Sequence, residues 1–170
     1  RLNAPENSLV VTVGMMNGGS PALQLADKVE LVGTVRTFDK KFRDGMPEML
    51  QSVAQNAAAA YGCTADCAYT FGPSPLINEH QDLNELARGA VTKIMGEGAL
   101  THLEKMTGAE DFSVLMEKVP GVYGYMGVRN LAKNINCAHH HPLFKVDEEQ
   151  LKYGCGVYAQ FALDYLEQNK

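Results

Sequence analysis

The hydrophobic pattern of two segments near the start of the chain is typical of β-strands, the first through an apolar run and the second through alternation of apolar and polar residues. The first, residues 8–15, is rich in β-branched side chains and leads into a turn-forming stretch at 17–21. In the second, residues 28–37, Val, Leu and Gly alternate with charged residues and threonine. We therefore predict two strands, the second half-buried with one face in water, and Arg36 lies on that wet face.

A helix is predicted next, over residues 47–61, with start and stop signals at its ends. Asp44 precedes it, Pro47 stands in its first turn and Gly62 follows its last residue. Residues 68–71 are short and β-like. Two strands, a helix and a further strand form an α+β unit, and its sheet is expected to leave one edge without a partner.

The Gly-Pro-Ser-Pro cluster at 72–75 marks the boundary between two halves of the chain. After it the pattern predicts helices over residues 82–95 and 109–118, an apolar strand over 122–128 and a long helix over 147–167. The apolar stripe of the first of these helices comprises Leu83, Leu86, Ala90 and Ile94. The long helix is expected to pack on the strand before it through Leu151, Cys155, Tyr158, Ala162 and Tyr165. This order of elements is typical of the end of an α/β layer fold.

Three adjacent histidines, His139, His140 and His141, form the most chemically concentrated stretch, with Cys137 before them and Pro142 after them. Imidazole is a common metal ligand and general base, but a run of histidines in a loop is also typical of a solvated tip. Neighbouring side chains in an extended segment project to opposite faces, so either His139 and His141 share a side or His140 acts alone. A zinc or manganese site needs about three or four protein ligands, so the others must come from elsewhere.

Composition narrows the class of protein. With 170 residues, 45% of them hydrophobic, the chain can form one domain or two small ones. A net charge of −5 without a basic run argues against nucleic-acid binding, and neither a membrane span nor a signal peptide is predicted. The four irregularly spaced cysteines indicate reduced thiols in a cytoplasmic protein. The abrupt start is interpreted as that of a piece of a longer protein.

Two further features are candidates for a site. Glu110 and Asp111 could deliver a carboxylate to the histidines, although acids in the first turn of a helix also complement its dipole, and locally that second reading is favoured. Arg36 could grip a substrate carboxylate with two hydrogen bonds, whereas a lone surface arginine is usually solvated. His80 and His102 stand apart and are interpreted as surface or structural residues.

Four motifs in this order resemble a metallopeptidase family that includes aminoacylases, hippurate hydrolases and carboxypeptidase G, especially its amidohydrolase branch. The motifs are residues 28–39 (KVELVGTVRTFD), 108–112 (GAEDF), 119–121 (VPG), and 140–144 (HHPLF) with the acids at 147–149. The resemblance covers nearly all of this chain but only the later part of the family's chain.

The resemblance implies a two-domain α/β enzyme, whose zinc-peptidase-like catalytic domain carries an inserted ferredoxin-like α+β lid and dimerisation domain. Residues 1–72 would be the second half of the lid, and residues 73–170 the C-terminal part of the catalytic domain. Such enzymes hydrolyse the amide bond of N-acyl amino acids or small peptides with two divalent metal ions, zinc or manganese. A homodimer formed through the lid is expected.

The resemblance also implies roles for single residues. His140 would be a metal ligand, Arg36 would bind the substrate carboxylate, and Glu110 and Asp111 would support the metal site. The part of the catalytic domain with the other ligands and the glutamate general base is missing, so no catalytic residue is assigned on this chain.

This chain departs from the family pattern at three positions. Asn17 stands where the family usually has histidine, Leu23 where it has asparagine, and His141 where it has a small residue. Leucine cannot hydrogen-bond a carboxylate, so half of the expected substrate clamp is missing.

Three interpretations therefore stay open. The first is the C-terminal portion of a metal-dependent amidohydrolase, which is favoured. The second is a non-catalytic dimerisation module or degenerate paralogue of that family. The third is a structural zinc protein that uses Cys63, Cys67 and Cys137.

Overall fold

The computed structural model describes residues 3–4 and 6–170, and the chain divides into two compact units. The first contains the chain up to Ile77 together with Lys105–Val114, and the second contains Asn78–Glu104 and Leu115–Lys170. The strands are β1 (Leu9–Gly18) and β2 (Val29–Thr37), and the helices are α1 (Lys40–Asp44), α2 (Met46–Ala59), α3 (Gln81–Met95), α4 (Phe112–Met116) and α5 (Leu151–Gln168). Short 3-10 turns lie at Glu97–Ala99, Leu131–Lys133 and Glu148–Gln150. The mixed helices and strands confirm the predicted α/β character.

β1 and β2 form an antiparallel hairpin, which confirms both predicted strands. The register runs from Leu9 opposite Thr37 to Gly18 opposite Val29, with a β-bulge at Gly14. Within the described residues the sheet has these two strands only, so each of its outer edges lacks a partner strand.

The apolar residues of the hairpin are open to solvent. On β2, Val29 and Leu31 are 55% and 56% exposed, and on β1 Met16 is 72% exposed. Among the described elements, β2 contacts only β1 and α1. The alternation therefore predicted strand conformation correctly and half-burial wrongly, because a pattern can suit burial but only a packed neighbour can provide it.

Local signals explain where the helices of the first unit begin and end. The Asp39 carboxylate accepts the N–H of Phe42 at 2.7 Å and so caps α1. Pro47 lies in the first turn of α2. Gly62 has φ +70° and its N–H bonds back to a carbonyl of the last turn of α2. The predicted helix is confirmed, with its end two residues earlier than expected.

Residues 68–71, predicted as a strand, form none. Side chains of the nearby helices hold the backbone just before this segment instead: the amide of Gln51 donates to the Ala65 carbonyl at 3.1 Å and accepts the Cys67 N–H at 2.7 Å. Arg43 stacks on the aromatic ring that ends the segment. A strand requires a hydrogen-bonded neighbour, which a short β-like run cannot indicate by itself.

In the second unit α3 and α5 pack against each other. Leu83, Leu86 and Ala90 are buried as predicted, while Ile94 is 37% exposed. α5 is the longest helix, and no described helix is long and apolar enough to cross a membrane.

The side of α5 that packs against the rest of the second unit is not the predicted apolar face. All five residues of the predicted apolar face are exposed, and Tyr158 is 81% exposed. The helix instead approaches α3 through Gly156, where an added Cβ would lie 3.1 Å from the Ile94 side chain. Asp164 of α5 also pairs with Lys93 of α3 at 2.6 Å. Apolar residues occur on several sides of α5, so glycine, which permits close approach, decided the packing face.

The segment 122–128, predicted as a strand, forms no strand. The side chain of Asn78 holds it, donating to the Tyr123 carbonyl at 2.8 Å and accepting the Tyr123 N–H at 2.9 Å. Met126 lies beside Gly154 of α5, so the expected contact between this segment and the long helix is present.

Candidate functional site

The three histidines lie on a loop whose two ends meet. We call residues 128–147 the histidine loop. The N–H of Asp147 donates to the carbonyl of Val128 at 2.9 Å. Asn130 and Ile135 exchange two backbone hydrogen bonds of 2.9 and 2.8 Å, and Asn134 between them adopts the left-handed conformation with φ +56°. The loop is therefore closed by its own backbone near its base.

The three histidines have three different environments. The ring of His139 packs edge-on against Phe144, with centroids 4.9 Å apart. Nδ1 of His141 accepts the N–H of Leu143 at 3.0 Å. The imidazole of His140 is exposed and makes no hydrogen bond within the described residues, and its ring lies edge-on to that of His139 with centroids 6.4 Å apart. Of the three, His140 alone has neither a phenylalanine contact nor a hydrogen bond.

The backbone at His140 is held in an uncommon conformation. Its φ is +65°, in the left-handed region that costs a non-glycine residue about 1–2 kcal/mol. Backbone bonds on either side compensate, from the His141 N–H to the Ala138 carbonyl at 3.2 Å and from the Phe144 N–H to the His141 carbonyl at 2.9 Å. The chain thus turns sharply at His140, between two residues whose side chains are engaged within the loop.

A buried carboxylate joins the ends of the histidine loop. Asp147 is 3% exposed, and its two oxygens accept from different residues, Oδ2 from Asn130 at 2.7 Å and Oδ1 from Lys133 at 2.8 Å. Lys133 also pairs with Glu149 at 2.7 Å. The sequence placed Asp147 in a motif but gave no indication of Asn130 or Lys133, because their pairing spans 17 and 14 residues.

These contacts set the ionisation of Asp147. The hydrogen bond from Asn130, followed by the one from Lys133, lowers the pKa of Asp147 to about 2 from 3.8. The same contacts raise the pKa of Lys133, through Asp147 first and Glu149 second.

Acid is therefore expected to weaken this cluster. A carboxyl whose pKa is lower in the folded state stabilises that state above its unfolded pKa of 3.8, and the contribution disappears as pH falls towards about 2. Urea unfolding at a series of pH values should show wild type more stable than Asp147→Asn near neutrality, with the difference shrinking between those two values. A difference that stays constant through this window would contradict the assignment.

Arg36 lies near the end of β2 with an exposed side chain. Its Nη1 donates to the Thr107 carbonyl at 2.9 Å, which steadies the guanidinium and leaves its other N–H groups for further partners. Asn17 is on β1 opposite Glu30, and Leu23 is 99% exposed in the connection between the strands.

Glu110 and Asp111 come just before α4 rather than inside it. The predicted helix over 109–118 is shorter, because α4 begins at Phe112 and ends at Met116. Glu110 accepts the Phe112 N–H on its carboxylate at 3.3 Å and the Ser113 hydroxyl on its carbonyl at 2.8 Å. This is the arrangement of a helix start, and both acids belong to the first unit whereas His140 belongs to the second.

Within residues 3–4 and 6–170, no three or more His, Cys, Asp or Glu side chains are grouped so as to hold a metal ion. An exposed imidazole without a hydrogen bond, such as that of His140, has the chemistry of a single ligand. The four cysteines are all free thiols, and the described residues give no support for a structural zinc site at Cys63, Cys67 and Cys137.

Comparison with known proteins shows the family of this chain. Residues 4–164 match the model of peptidase family M20/M25/M40. The chain is 33% identical over 159 residues to an N-acetylcysteine deacetylase of Bacillus subtilis, covering 93% of this chain and 40% of that protein. It is 29% identical over 167 residues to the IAA-amino acid hydrolase ILR1-like 2 of Arabidopsis thaliana, covering 96% and 37%. The chain thus spans about two fifths of the length of these relatives.

Solved structures agree in fold. The crystal structure of a Bacillus subtilis dinuclear metal binding peptidase from the M20 family superposes with a TM-score of 0.80 and 32% identity. The match covers 94% of this chain and 42% of that one.

Proposed function

This chain belongs to peptidase family M20/M25/M40, and from that premise we propose that it is part of a metal-dependent amidohydrolase or peptidase. The enzyme would hydrolyse the amide bond of N-acyl amino acids or small peptides. Residues 73–170 would be the C-terminal part of its catalytic domain, and residues 1–72 the second half of a lid that dimerises with a second copy. The other metal ligands and the general base would come from the part of the protein that precedes these residues.

The observation that supports this proposal is the position of His140. It stands in the motif of the resemblance at the turn of the histidine loop, with φ +65° and no hydrogen bond to any described residue. His139 and His141 are each engaged by a neighbour in the loop. The neutral imidazole of His140 would therefore donate a lone pair to a metal ion without first breaking a hydrogen bond.

Two divalent ions, zinc or manganese, are proposed for the complete site, with His140 as one ligand. Bound there, they would polarise the amide carbonyl and lower the pKa of the attacking water. Glu110 and Asp111 are proposed to support the site, a role that would come in addition to the helix start they form here.

Arg36 is proposed to bind the free carboxylate of the substrate. One of its N–H groups is used by the Thr107 carbonyl, and the rest of the exposed guanidinium can form a forked pair with a carboxylate. Leu23 supplies no hydrogen bond, so Arg36 would carry this recognition without the family's asparagine.

A substrate pair tests this role of Arg36 and the proposed function together. In the full-length protein, Arg36→Ala should lower kcat/KM for N-acetyl amino acids about 100-fold, because a charged hydrogen-bonded pair is lost. The corresponding N-acetyl amino acid amides lack the carboxylate, so wild type should hydrolyse them more slowly than the acids. Arg36→Ala should leave kcat/KM for these amides unchanged.

Arg88→Ala, which removes an arginine from α3, is the matched control and should leave both rates unchanged. An equal loss on acids and amides would contradict carboxylate binding by Arg36. Absence of any amide hydrolysis, together with a dimer in analytical ultracentrifugation, would favour a non-catalytic dimerisation module, for which the exposed hairpin is the supporting observation.

A further inference from the structure

We propose that Asn130, Lys133 and Asp147 are positioning residues for His140, acting as a polar clamp at the base of the histidine loop. The inference rests on the proposed function, because it concerns the aim of the imidazole assigned there as a metal ligand. No hydrogen bond joins any of the three to His140 within the described residues, and His140 lies seven residues before Asp147.

The first argument is burial. Within residues 128–147, Asp147 is the one buried residue, and all the others are half-buried or exposed. A loop of this kind has no apolar core to order it, so its conformation depends on hydrogen bonds. Phe144, the largest apolar side chain of the loop, is itself 37% exposed.

The second argument is how completely the clamp uses its polar atoms. The Asn130 amide oxygen accepts the N–H groups of Ala132 and Lys133 at 3.1 and 3.3 Å, while its NH2 group donates to Asp147. Asn130 thus caps the 3-10 turn at one end of the loop and holds the other end with the same side chain. Asp147 has a separate donor on each oxygen.

The third argument is the strain at His140. The backbone of His140 is in the left-handed conformation, and His140 makes no hydrogen bond within the described residues that would stabilise it there. The rest of the loop must therefore impose this conformation. If the two ends separate, the turn can relax and the imidazole loses its direction. Metal ligands are commonly oriented by groups that do not touch the metal, and here those groups would act through the backbone of the loop.

Exchanging the two hydrogen-bonding groups tests the clamp. In Asn130→Asp two carboxylates would face each other, and in Asp147→Asn an amide would face an amide with one charge lost. In the double variant the direction of the hydrogen bond reverses: the carboxylate introduced at position 130 would accept from the amide introduced at position 147, whose oxygen would still accept from Lys133. Both single variants should therefore damage the clamp, and the double variant should restore it.

Two measurements are made on the full-length protein. Hydrogen exchange of the loop amides should be about tenfold or more faster in each single variant and near wild type in the double variant. With cobalt(II) as the probe ion, the visible absorption bands of the bound metal should shift in each single variant and return in the double variant. Asn130→Ser, which can still cap the turn but cannot reach Asp147, serves if a single variant does not fold.

Asp164→Asn is the matched control, since Asp164 is also a buried carboxylate that accepts from a lysine and an amide, Lys93 and Gln160. It should leave the loop amides and the cobalt bands unchanged. Unchanged loop exchange in the single variants, or no recovery in the double variant, would overturn the clamp. Faster exchange with unaltered cobalt bands would overturn its positioning role. Cobalt bands that persist in His140→Ala would refute the proposed function instead, while the exchange results would still stand.

Discussion

Replacing His140 with alanine in the full-length protein is expected to remove about one of two bound metal ions and to lower kcat/KM by more than about 100-fold. Loss of a group that only orients a metal ligand costs about 10- to 100-fold, so loss of the ligand should cost more. Alanine removes no hydrogen bond within the described residues, and the exposed ring of His140 loses only its edge-on contact with His139. Elemental mass spectrometry after exhaustive washing measures the metal, and an N-acyl amino acid assay measures turnover.

The neighbouring histidines provide controls in the same loop. His139→Ala loses a ring contact with Phe144, and His141→Ala loses the acceptor for the Leu143 N–H. Both should keep the full metal content, with small losses of stability. Retention of metal and turnover in His140→Ala, or loss of metal in His139→Ala alone, would show that the ligand is elsewhere.

Gly33→Ala is expected to destabilise the β-hairpin by about 2–3 kcal/mol. A Cβ at Gly33 would lie 2.3 Å from the carbonyl oxygen of Thr12 on the opposite strand. That oxygen belongs to the backbone, so it cannot rotate away, and the strands must separate next to the bulge at Gly14. The free energy of unfolding in urea measures the loss, and KM for N-acyl amino acids should rise because Arg36 is three residues along β2.

Gly14→Ala is the control for this prediction. Gly14 is in the same hairpin, but no atom lies within 4 Å of the position of its added Cβ. Its effect should be within about 0.5 kcal/mol, as for a surface substitution. Equal losses in the two variants would contradict the close approach to Thr12 as the reason for glycine at position 33.

Predictions from the sequence were accurate where the residues that determine an element lie within that element or next to it. The hairpin strands, α2 and α3 were predicted within three residues of their observed ends. Pro47 at the start of α2 and Gly62 after its end act through the conformation of their own backbone.

Predictions failed where they depended on a neighbour. Residues 68–71 and 122–128 have β-like composition but form no strand. The Gln51 side chain holds the backbone just before the first segment, and the Asn78 side chain holds Tyr123 in the second. α5 was assigned the wrong packing face, because the face that meets α3 is selected by Gly156 and the Lys93–Asp164 pair.

By itself, the sequence determined the local elements and, through motifs in a characteristic order, membership of the M20/M25/M40 family and the candidates His140 and Arg36. Residue chemistry taken alone did not distinguish the three histidines, and only the resemblance singled out His140. The tertiary structure alone decided that His139 packs on Phe144, that His141 accepts a hydrogen bond and His140 makes none within the described residues, and that Asn130 meets Asp147 across 17 residues. The physical reason is range: turns and caps depend on adjacent backbone groups, whereas burial and side-chain pairing depend on residues that only folding brings together.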